Sequence, residues 1–207
     1  MALKTNYEKW YATDEYFWGT KEAELCHELV KLVSPNKNIK VLDIGCGEGK
    51  DAVYMAKQGY NVFAFDITTN GINKTLKMAK ENNVHVNAFV ADINNFEIND
   101  KFDIIYSTGT IQYLDDDKID SFFEKVKTMT NVNGINWFNV FVDKPFIPLP
   151  PDWDLGEKMW QTGKLFSYYP DWKFERIDET IFDCNSSGIL HKHCMDVLVA
   201  RKIQSDI

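Results

Sequence analysis

The stretch VLDIGCGEGKDA at residues 41–52 decides the fold of this chain. An apolar run ends in Asp43, glycines follow at positions 45, 47 and 49, and a helical pattern begins directly after them. This order predicts a parallel strand, a tight turn and a helix whose N-terminus faces a ligand. Because Gly45 and Gly47 carry no Cβ, the backbone there can approach a bound cofactor closely and adopt angles closed to other residues.

The spacing of the glycines narrows the kind of ligand. A dinucleotide-binding turn has the pattern G-x-G-x-x-G, which here would need a glycine at position 50, where Lys50 stands. The phosphate-binding pattern G-x-x-x-x-G-K followed by Ser or Thr is absent from the sequence as well. What remains is D-x-G-x-G-x-G from Asp43 to Gly49, and on its own this pattern is also compatible with a plain tight connection.

Composition predicts one globular domain. At 207 residues the chain is long enough to bury roughly 70% of its unfolded surface. No apolar run approaches the roughly 18 residues that a membrane span requires, so no membrane association is expected. The start of the sequence is too polar and too aromatic for a signal peptide. We therefore expect a cytoplasmic protein.

Charge and cysteine usage restrict the partners. The net charge of −8 argues against nucleic acid as a partner, because phosphate binding draws on clustered Lys and Arg. The four cysteines form no C-x-x-C pair, so thiols are the expected state.

Two further acidic residues end apolar strands. Asp66 closes the run at residues 61–67, and Asp92 follows a short run at 86–90. In a parallel sheet these strand ends lie beside the glycine turn, where the Asp66 carboxylate can accept hydrogen bonds from both ribose hydroxyls of a nucleoside. The alternatives are that Asp66 caps a helix starting at Thr68 or Thr69, and that Asp92 makes an Asx-turn.

The fourth strand, FDIIY at residues 102–106, leads into Ser107, Thr108 and other small polar residues. Such a loop reaches the middle of the carboxyl edge of the sheet, where ligands of open α/β folds bind. Acidic residues at 115–117 are typical of a helix N-terminus rather than of a metal site.

The N-terminal segment 7–18 holds six aromatic residues in twelve positions. Aromatic faces attract cations and exclude water, so this segment can act as a lid over the reacting group of a bound ligand. The alternative is that Trp10, Tyr11, Phe17 and Trp18 only pack the segment onto the core. A helix with a possible N-cap at Thr20 is expected to follow.

The C-terminal part begins with a proline-rich loop at residues 143–156 that has neither helical nor strand periodicity. A loop of this length is usually functional or mobile, and we interpret it as the rim on the substrate side. Alternating residues at 172–182 and 193–202 then predict two strands that pair antiparallel.

Together these features make the chain resemble the class I S-adenosylmethionine-dependent methyltransferases, whose motif I is similar to D-x-G-x-G-x-G. The resemblance implies an α/β fold, a three-layer αβα sandwich with a mostly parallel seven-stranded sheet (Rossmann-like methyltransferase fold) and an antiparallel last strand. One domain would cover residues 1–207, with the aromatic flap and first helix at 1–33, the cofactor-binding core at 39–143, and the substrate-side loop and C-terminal hairpin at 144–207.

The resemblance also implies the cofactor and the site residues. The cofactor would be S-adenosyl-L-methionine, with S-adenosyl-L-homocysteine as the product. Residues at the strand ends would bind it: Asp43, Gly45, Cys46, Gly47, Asp66, Ile67, Asp92, Ile93 and Ser107. In that family the acid corresponding to Asp92 takes the adenine amino group and the next residue packs on the ring. On the substrate side we expect Trp18, Thr108 and His191.

Within the superfamily the chain is similar to the TehB-type tellurite-resistance branch. The supporting segments are DEYFWGTKEAEL near the start, GKLFSYYPDWKFERID and the ending SGILHKHCMDVLVARK. The branch usually ends close to G-E-L-H-R with a further Arg in a hairpin, whereas Ile189 replaces the acid and Lys192 replaces the Arg here. The name of the branch therefore does not imply that tellurite or selenite is a substrate of this chain.

His191 and His193 have several interpretations. One of them could orient or deprotonate a nucleophile, since neutral imidazole is a base near pH 7. Both could also be ordinary hairpin residues. A zinc site made with Cys184 and Cys194 is disfavoured, because alternate strand residues share a face and Cys194 would point away from both histidines. We therefore expect no metal.

The sequence thus predicts in-line methyl transfer to a small-molecule nucleophile, which could be a thiol, a chalcogen oxyanion, an amine or a hydroxyl. Such a transfer depends on alignment and loss of water more than on acid or base. The alternative is a module that senses S-adenosylmethionine without turnover. An oxidoreductase using a nicotinamide is disfavoured by the glycine spacing. The chain is expected to be a monomer or a dimer.

Overall fold

The computed structural model describes residues 2–150, 158–185 and 188–204, with side chains from residue 6 onward. The chain forms two compact units, Met1–Tyr106 and Ser107–Ile207. The prediction of one domain over residues 1–207 is not tested by this division.

The first unit begins with two helices and then alternates strands and helices, except that its last two strands follow one another without a helix between them. Its parallel strands carry apolar residues on both faces, as strands covered on both sides do. The elements are α1 (Ala2–Trp10), α2 (Glu24–Leu32), β1 (Lys40–Ile44), α3 (Lys50–Gln58), β2 (Asn61–Asp66), α4 (Thr69–Glu81), β3 (Val86–Val90) and β4 (Phe102–Ser107).

Strand register brings the acidic strand ends of the first unit to one edge. β1 pairs in parallel with β2 and with β4, and β2 pairs in parallel with β3. Asp43 lies opposite Ala64 on β2 and Tyr106 on β4, and Asp66 lies opposite Val90 on β3. The carboxyl ends of these strands therefore carry Asp43 and Asp66 beside the glycine turn.

The second unit contains one α-helix, α5 (Ile119–Met129), and three strands among its described residues. The strands are β5 (Thr130–Phe141), β6 (Lys173–Cys184) and β7 (His191–Arg201), with 3-10 turns at Ile111–Tyr113 and Phe166–Tyr168. β7 pairs antiparallel with both β5 and β6.

The seven strands form one sheet in the order β3-β2-β1-β4-β5-β7-β6. The predicted fold class is confirmed, because this is an α/β fold with a mostly parallel seven-stranded sheet whose last strands run antiparallel. Among the described residues, no helix has the combination of length and apolar character that crossing a bilayer demands.

Several local predictions need correction. Residues Ala2–Trp10 form a helix that the sequence pattern did not reveal. The next helix begins at Glu24, and its N-cap residue Ala23 has no side chain that could accept a hydrogen bond; the backbone N–H of Ala23 donates to Asp51 Oδ1 at 2.8 Å. A partner distant in sequence thus replaces the predicted cap at Thr20.

Strand five is longer than the sequence predicted. It begins at Thr130, so Gly134 lies inside the strand instead of opening it. The predicted pair of strands at the C-terminus is confirmed, with slightly extended bounds. The proline-rich loop prediction falls partly on residues 151–157, which lie outside the described residues.

Candidate functional site

The glycine turn after β1 has left-handed backbone angles. φ is 73° at Gly45, 55° at Gly47 and 90° at Gly49, a region that residues with a Cβ rarely adopt. The N–H groups of Gly45 and Cys46 both donate to the carbonyl of Phe65, at 2.8 and 2.9 Å. These two bonds hold the turn against the end of β2.

Packing explains two of these glycines further. A Cβ on Gly49 would lie 2.5 Å from Thr75 Oγ1, so α4 passes too close for any side chain. A Cβ on Gly47 would lie 3.1 Å from the hydroxyl oxygen of Tyr11. Residue 47 therefore faces an aromatic residue of the N-terminal segment.

Asp66 connects the turn to the start of α4. Its Oδ2 accepts from the backbone N–H of Gly47 at 3.0 Å, and its Oδ1 accepts from the N–H and the hydroxyl of Thr68, at 2.9 and 2.6 Å. Thr68 is the N-cap of α4, because its own Oγ1 accepts from Gly71 N–H. The carboxylate fixes both the turn and the cap, and its ribose role stays a prediction.

Asp43 is the unusual acid of this unit. It is 2% exposed, and its Oδ2 has no hydrogen-bond partner among the described residues. Burial raises the pKa of its carboxyl well above the usual value of 3.8, and the charges of Asp51 and Asp66 raise it further. A buried carboxyl group with one unpartnered oxygen at the glycine turn is a group that a cationic ligand would satisfy.

The N-terminal aromatic segment reaches the glycine turn through Tyr11. This residue is 5% exposed, and its hydroxyl accepts a 3.0 Å hydrogen bond from Trp18 Nε1. Burial, together with the nearby charge of Asp66, raises the pKa of the Tyr11 hydroxyl far above its usual value, so it keeps its proton. Trp18 and Phe17 are each 44% exposed, so only Tyr11 is packed as a core residue.

Two glutamates hold the N-terminal aromatic segment against the rest of the first unit. Glu8 on α1 accepts from the N–H groups of Thr69 and Asn70, at 2.8 and 3.1 Å, and so caps α4 from outside. Glu48 is 3% exposed and accepts from Trp18 N–H at 3.2 Å while pairing with Lys74 at 2.7 Å. The segment is therefore docked beside the glycine turn.

The remaining predicted cofactor residues of this unit lie near the strand ends. Asp92 Oδ1 accepts from Asn94 N–H at 2.9 Å, so the Asx-turn that the sequence offered as an alternative is present. Its other oxygen is not used by that turn, and the adenine role stays a prediction. Ile93 is 9% exposed, Ile67 is half-buried, and the thiol sulfur of Cys46 lies 3.9 Å from Thr75 Oγ1.

In the second unit, Ser107 is fully buried and Thr108 is half-buried. The loop after them is held by Asn139, whose Oδ1 accepts from Gly109 N–H at 2.8 Å, and by Gln112, whose Nε2 donates to Gly109 O at 2.7 Å. The hydroxyl of Thr110 donates to the carbonyl oxygen of Thr108 at 3.3 Å. These hydrogen bonds hold the loop in place. The substrate role of Thr108 stays a prediction.

His191 lies at the start of β7, next to His193 on the same face. The two Nε2 atoms are 2.9 Å apart, and His191 Nδ1 lies 2.7 Å from the carbonyl oxygen of Ile189. His193 is 5% exposed and packs against the rings of Phe141 and Phe182. The structure therefore brings the two histidines together, as the alternation of the strand predicted.

Sequence reasoning did not single out Tyr11, Glu8 and Glu48. The density of aromatic residues at 7–18 marked the segment, but nothing in it distinguished Tyr11 from its exposed neighbours. The two glutamates act through partners about 60 and 30 positions away in sequence. No local pattern reports such pairings.

The sequence of this chain matches a known protein family over most of its length. A family model described as tellurite resistance protein TehB matches residues 4–193. The chain belongs to the TehB family. A TehB relative from Haemophilus influenzae (strain ATCC 51907 / DSM 11121 / KW20 / Rd), named a probable S-adenosyl-L-methionine-dependent methyltransferase, is 29% identical over 165 residues. That alignment covers 80% of this chain and 54% of the relative, so the chain spans about half the length of that TehB.

Solved structures agree with the family. The crystal structure of TehB from Haemophilus influenzae is similar to this chain with a TM-score of 0.78 and 26% identity, covering 96% of this chain and 66% of that one. A magnesium protoporphyrin IX methyltransferase from Synechocystis PCC 6803 with bound S-adenosylhomocysteine has a TM-score of 0.69 at 12% identity, covering 96% and 94%. This second likeness shows the fold alone. The predicted membership of the TehB branch of class I methyltransferases is confirmed.

Proposed function

We propose that this TehB-family chain is an S-adenosylmethionine-dependent methyltransferase acting on a small-molecule nucleophile by in-line displacement. The observation that supports the proposal is the buried carboxyl of Asp43, whose Oδ2 lacks a hydrogen-bond partner among the described residues. Asp43 lies two residues before Gly45, the first residue of the left-handed glycine turn. The TehB relative's name supports the same activity.

The residues of the first unit fit this donor. When bound, S-adenosylmethionine supplies a methyl group on a positively charged sulfur. Asp43 would accept a hydrogen bond from its cationic amino group, and that contact would stabilise the ionised carboxylate. Asp66 retains acceptor capacity beyond its bonds to Gly47 and Thr68, because an ionised carboxylate offers about four lone-pair sites. We assign that capacity to the ribose hydroxyls.

Gly45, Cys46 and Gly47 would line the donor through their backbone, and Ile67, Asp92, Ile93 and Ser107 are the other proposed cofactor residues. Trp18 would present an aromatic face to the sulfonium and exclude water. Thr108 and His191 are the proposed substrate-side residues in the second unit. His191 would orient or deprotonate the nucleophile.

The acceptor class stays open among thiols, chalcogen oxyanions and amines. In the second unit Lys192, which stands where the family pattern has Arg, pairs with Asp183 at 2.7 Å. A Lys ammonium is a point charge and lacks the two-pronged geometry with which Arg holds an oxyanion. We therefore propose no tellurite substrate on the strength of the family name. A cytoplasmic location, a monomeric or dimeric state and the absence of nucleic-acid and membrane partners stay predictions.

The proposal is tested by measuring whether the protein converts S-adenosylmethionine to S-adenosylhomocysteine. Purified protein would be incubated with S-adenosylmethionine and, separately, with small thiols, selenite, tellurite and amines, and S-adenosylhomocysteine would be quantified. Formation of product with one acceptor class supports the proposal. Tight donor binding without product from any acceptor would favour the sensor. Calorimetry that detects NADH binding but no S-adenosylmethionine binding would overturn both.

A further inference from the structure

A cysteine and two histidines converge on one face of the β6–β7 hairpin. Cys184 lies directly opposite His191 in the strand register, and His193 lies opposite Phe182, one alternation further along. Directly paired residues of antiparallel strands share a face, and so do alternate residues of one strand. Consequently the thiol sulfur and the nearest ring nitrogens all lie within 4.8 Å of one another.

Hydrogen bonding fixes the tautomer of one of these histidines. His191 Nδ1 lies 2.7 Å from the backbone carbonyl oxygen of Ile189, which can only accept, so Nδ1 carries the proton. The lone pair of neutral His191 is then on Nε2, directed at His193 Nε2 at 2.9 Å. A ring N–H that donates to a backbone carbonyl while the other nitrogen faces inward is the usual arrangement of a metal-binding histidine.

We propose that Cys184, His191 and His193 form a binding site for a zinc ion. A thiolate and two imidazoles are typical zinc ligands, with bonds of about 2.3 Å to sulfur and about 2.0 Å to nitrogen. Tetrahedral angles at such bonds separate two ligand nitrogens by about 3.3 Å. The two Nε2 atoms need to move apart by only a few tenths of an ångström from their present spacing.

Binding changes the protonation of the site in a defined way. The Cys184 thiol loses its proton to solvent. His193 donates its Nε2–H to His191 Nε2 before binding, and this ring stays neutral because its proton shifts to Nδ1, which leaves the Nε2 lone pair for zinc. Three protein ligands leave the fourth position of zinc open to water or to a thiol from solution. His191 already carries its proton on Nδ1, which faces the Ile189 carbonyl, so its ring needs no change of tautomer to bind zinc through Nε2.

The surroundings of the cluster suit a fixed site. His193 is held between Phe141 and Phe182, with ring centroids at 4.9 and 5.6 Å, so its ring orientation is set before any ion arrives. Lys192 is the adjacent cation, but it lies on the opposite face of β7 and pairs with Asp183 at 2.7 Å. Its charge is thus largely neutralised and directed away from the cluster.

Cys194 is not a ligand of this site, because register places it opposite Ile181 on the other face of the hairpin. Cys184 is the cysteine that shares the face of the histidines. Zinc binding can be measured without methyl transfer, but a zinc ion on His191 Nε2 and the proposed role of His191 as a base exclude each other.

The test uses the full chain, stripped of metal with a chelator and then titrated with Zn²⁺ by calorimetry and with Co²⁺ by absorption spectroscopy. We expect one ion per chain and a thiolate-to-cobalt charge-transfer band. Cys184→Ser should remove the band, and Cys184→Ser and His191→Ala should each weaken zinc binding by at least about tenfold. Cys194→Ser is the matched control and should leave both readouts unchanged.

Absence of stoichiometric zinc binding would overturn the proposal, and so would binding that survives both variants or is lost in Cys194→Ser. Circular dichroism measured on the same variants reports whether the chain still folds. Because the zinc readout requires no turnover, its failure and the failure of the methyltransferase proposal are distinguishable.

Discussion

The backbone N–H of Gly47 donates a 3.0 Å hydrogen bond to Oδ2 of Asp66, joining the turn after β1 to the last residue of β2. Oδ1 of the same carboxylate accepts from Thr68 at the cap of α4. A single side chain therefore positions the glycine turn and the following helix. Any ligand bound by the turn depends on this carboxylate through the shape of the turn, and the proposed ribose contact would add a direct dependence.

Replacing Asp66 by Ala should weaken S-adenosylmethionine binding by about 1 to 3 kcal/mol, because charge-assisted hydrogen bonds are lost. Asp66→Asn keeps one acceptor oxygen without the charge and should lie between Ala and the wild type. Calorimetric titration measures the affinities. Asp100→Ala, which removes an exposed ion pair with Lys40 in the same unit, is the control. Unchanged affinity in Asp66→Ala would refute the ribose assignment.

Replacing Gly47 by Ala separates local crowding from backbone strain. The new Cβ would lie 3.1 Å from the Tyr11 hydroxyl at a φ of 55°, whereas Gly59→Ala introduces a Cβ at a φ of 106° with nothing within 4 Å. Both variants should lose about 1 to 2 kcal/mol of folding free energy through strain. Only Gly47→Ala should also weaken donor binding in calorimetry. Equal donor affinity in the two variants would contradict the placement of the turn at the ligand.

Asp43 should make stability depend on pH. Its pKa is raised on folding, so the folded chain holds a proton that the unfolded chain releases. The free energy of unfolding therefore falls as pH rises from the usual carboxyl value of 3.8 through the higher pKa of the folded state. Asp43→Asn removes this loss, and urea denaturation at a series of pH values should show its advantage growing with pH. Parallel pH profiles for the two proteins would argue against a buried titrating carboxyl.

The same carboxyl should couple donor binding to proton release. A cationic ligand beside Asp43 favours the ionised form, so binding at a pH below the folded pKa expels the proton. Calorimetry in two buffers of different ionisation enthalpy measures the number of protons released. Asp43→Asn should abolish the buffer dependence, while Asp100→Asn should preserve it.

The bond between Trp18 Nε1 and the Tyr11 hydroxyl should help retain the donor. Tyr11→Phe keeps the ring and removes the acceptor, at a net cost of about 0.5 to 1.5 kcal/mol. We expect faster dissociation of S-adenosylhomocysteine, by about two- to tenfold, and faster hydrogen exchange across α1. Tyr54→Phe removes an exposed hydroxyl that contacts His27 and serves as the control. If both variants release the ligand at the wild-type rate, the segment only packs against the unit.

The sequence predicted elements wherever local pattern and burial coincide. Strands β1 to β4 follow apolar runs that end in polar residues. The sequence offered Asp66 as a cap for a helix starting at Thr68 or Thr69, whereas the N-cap of α4 is Thr68. By contrast, α2 takes its capping acceptor from Asp51, 28 positions away, and no local rule reports that partner.

By itself, the sequence determined the glycine turn, the order of strands ending in acids and the family to which they belong, because these depend on residue type and spacing along the chain. Only the tertiary structure decided that Tyr11 is the aromatic residue at Gly47, that Asp43 is buried with an oxygen unpaired among the described residues, and that Cys184 lies within 4.8 Å of the two histidines. The physical reason is that burial and cross-strand register bring together side chains that are distant in sequence. Those contacts set the electrostatics and the ligand geometry.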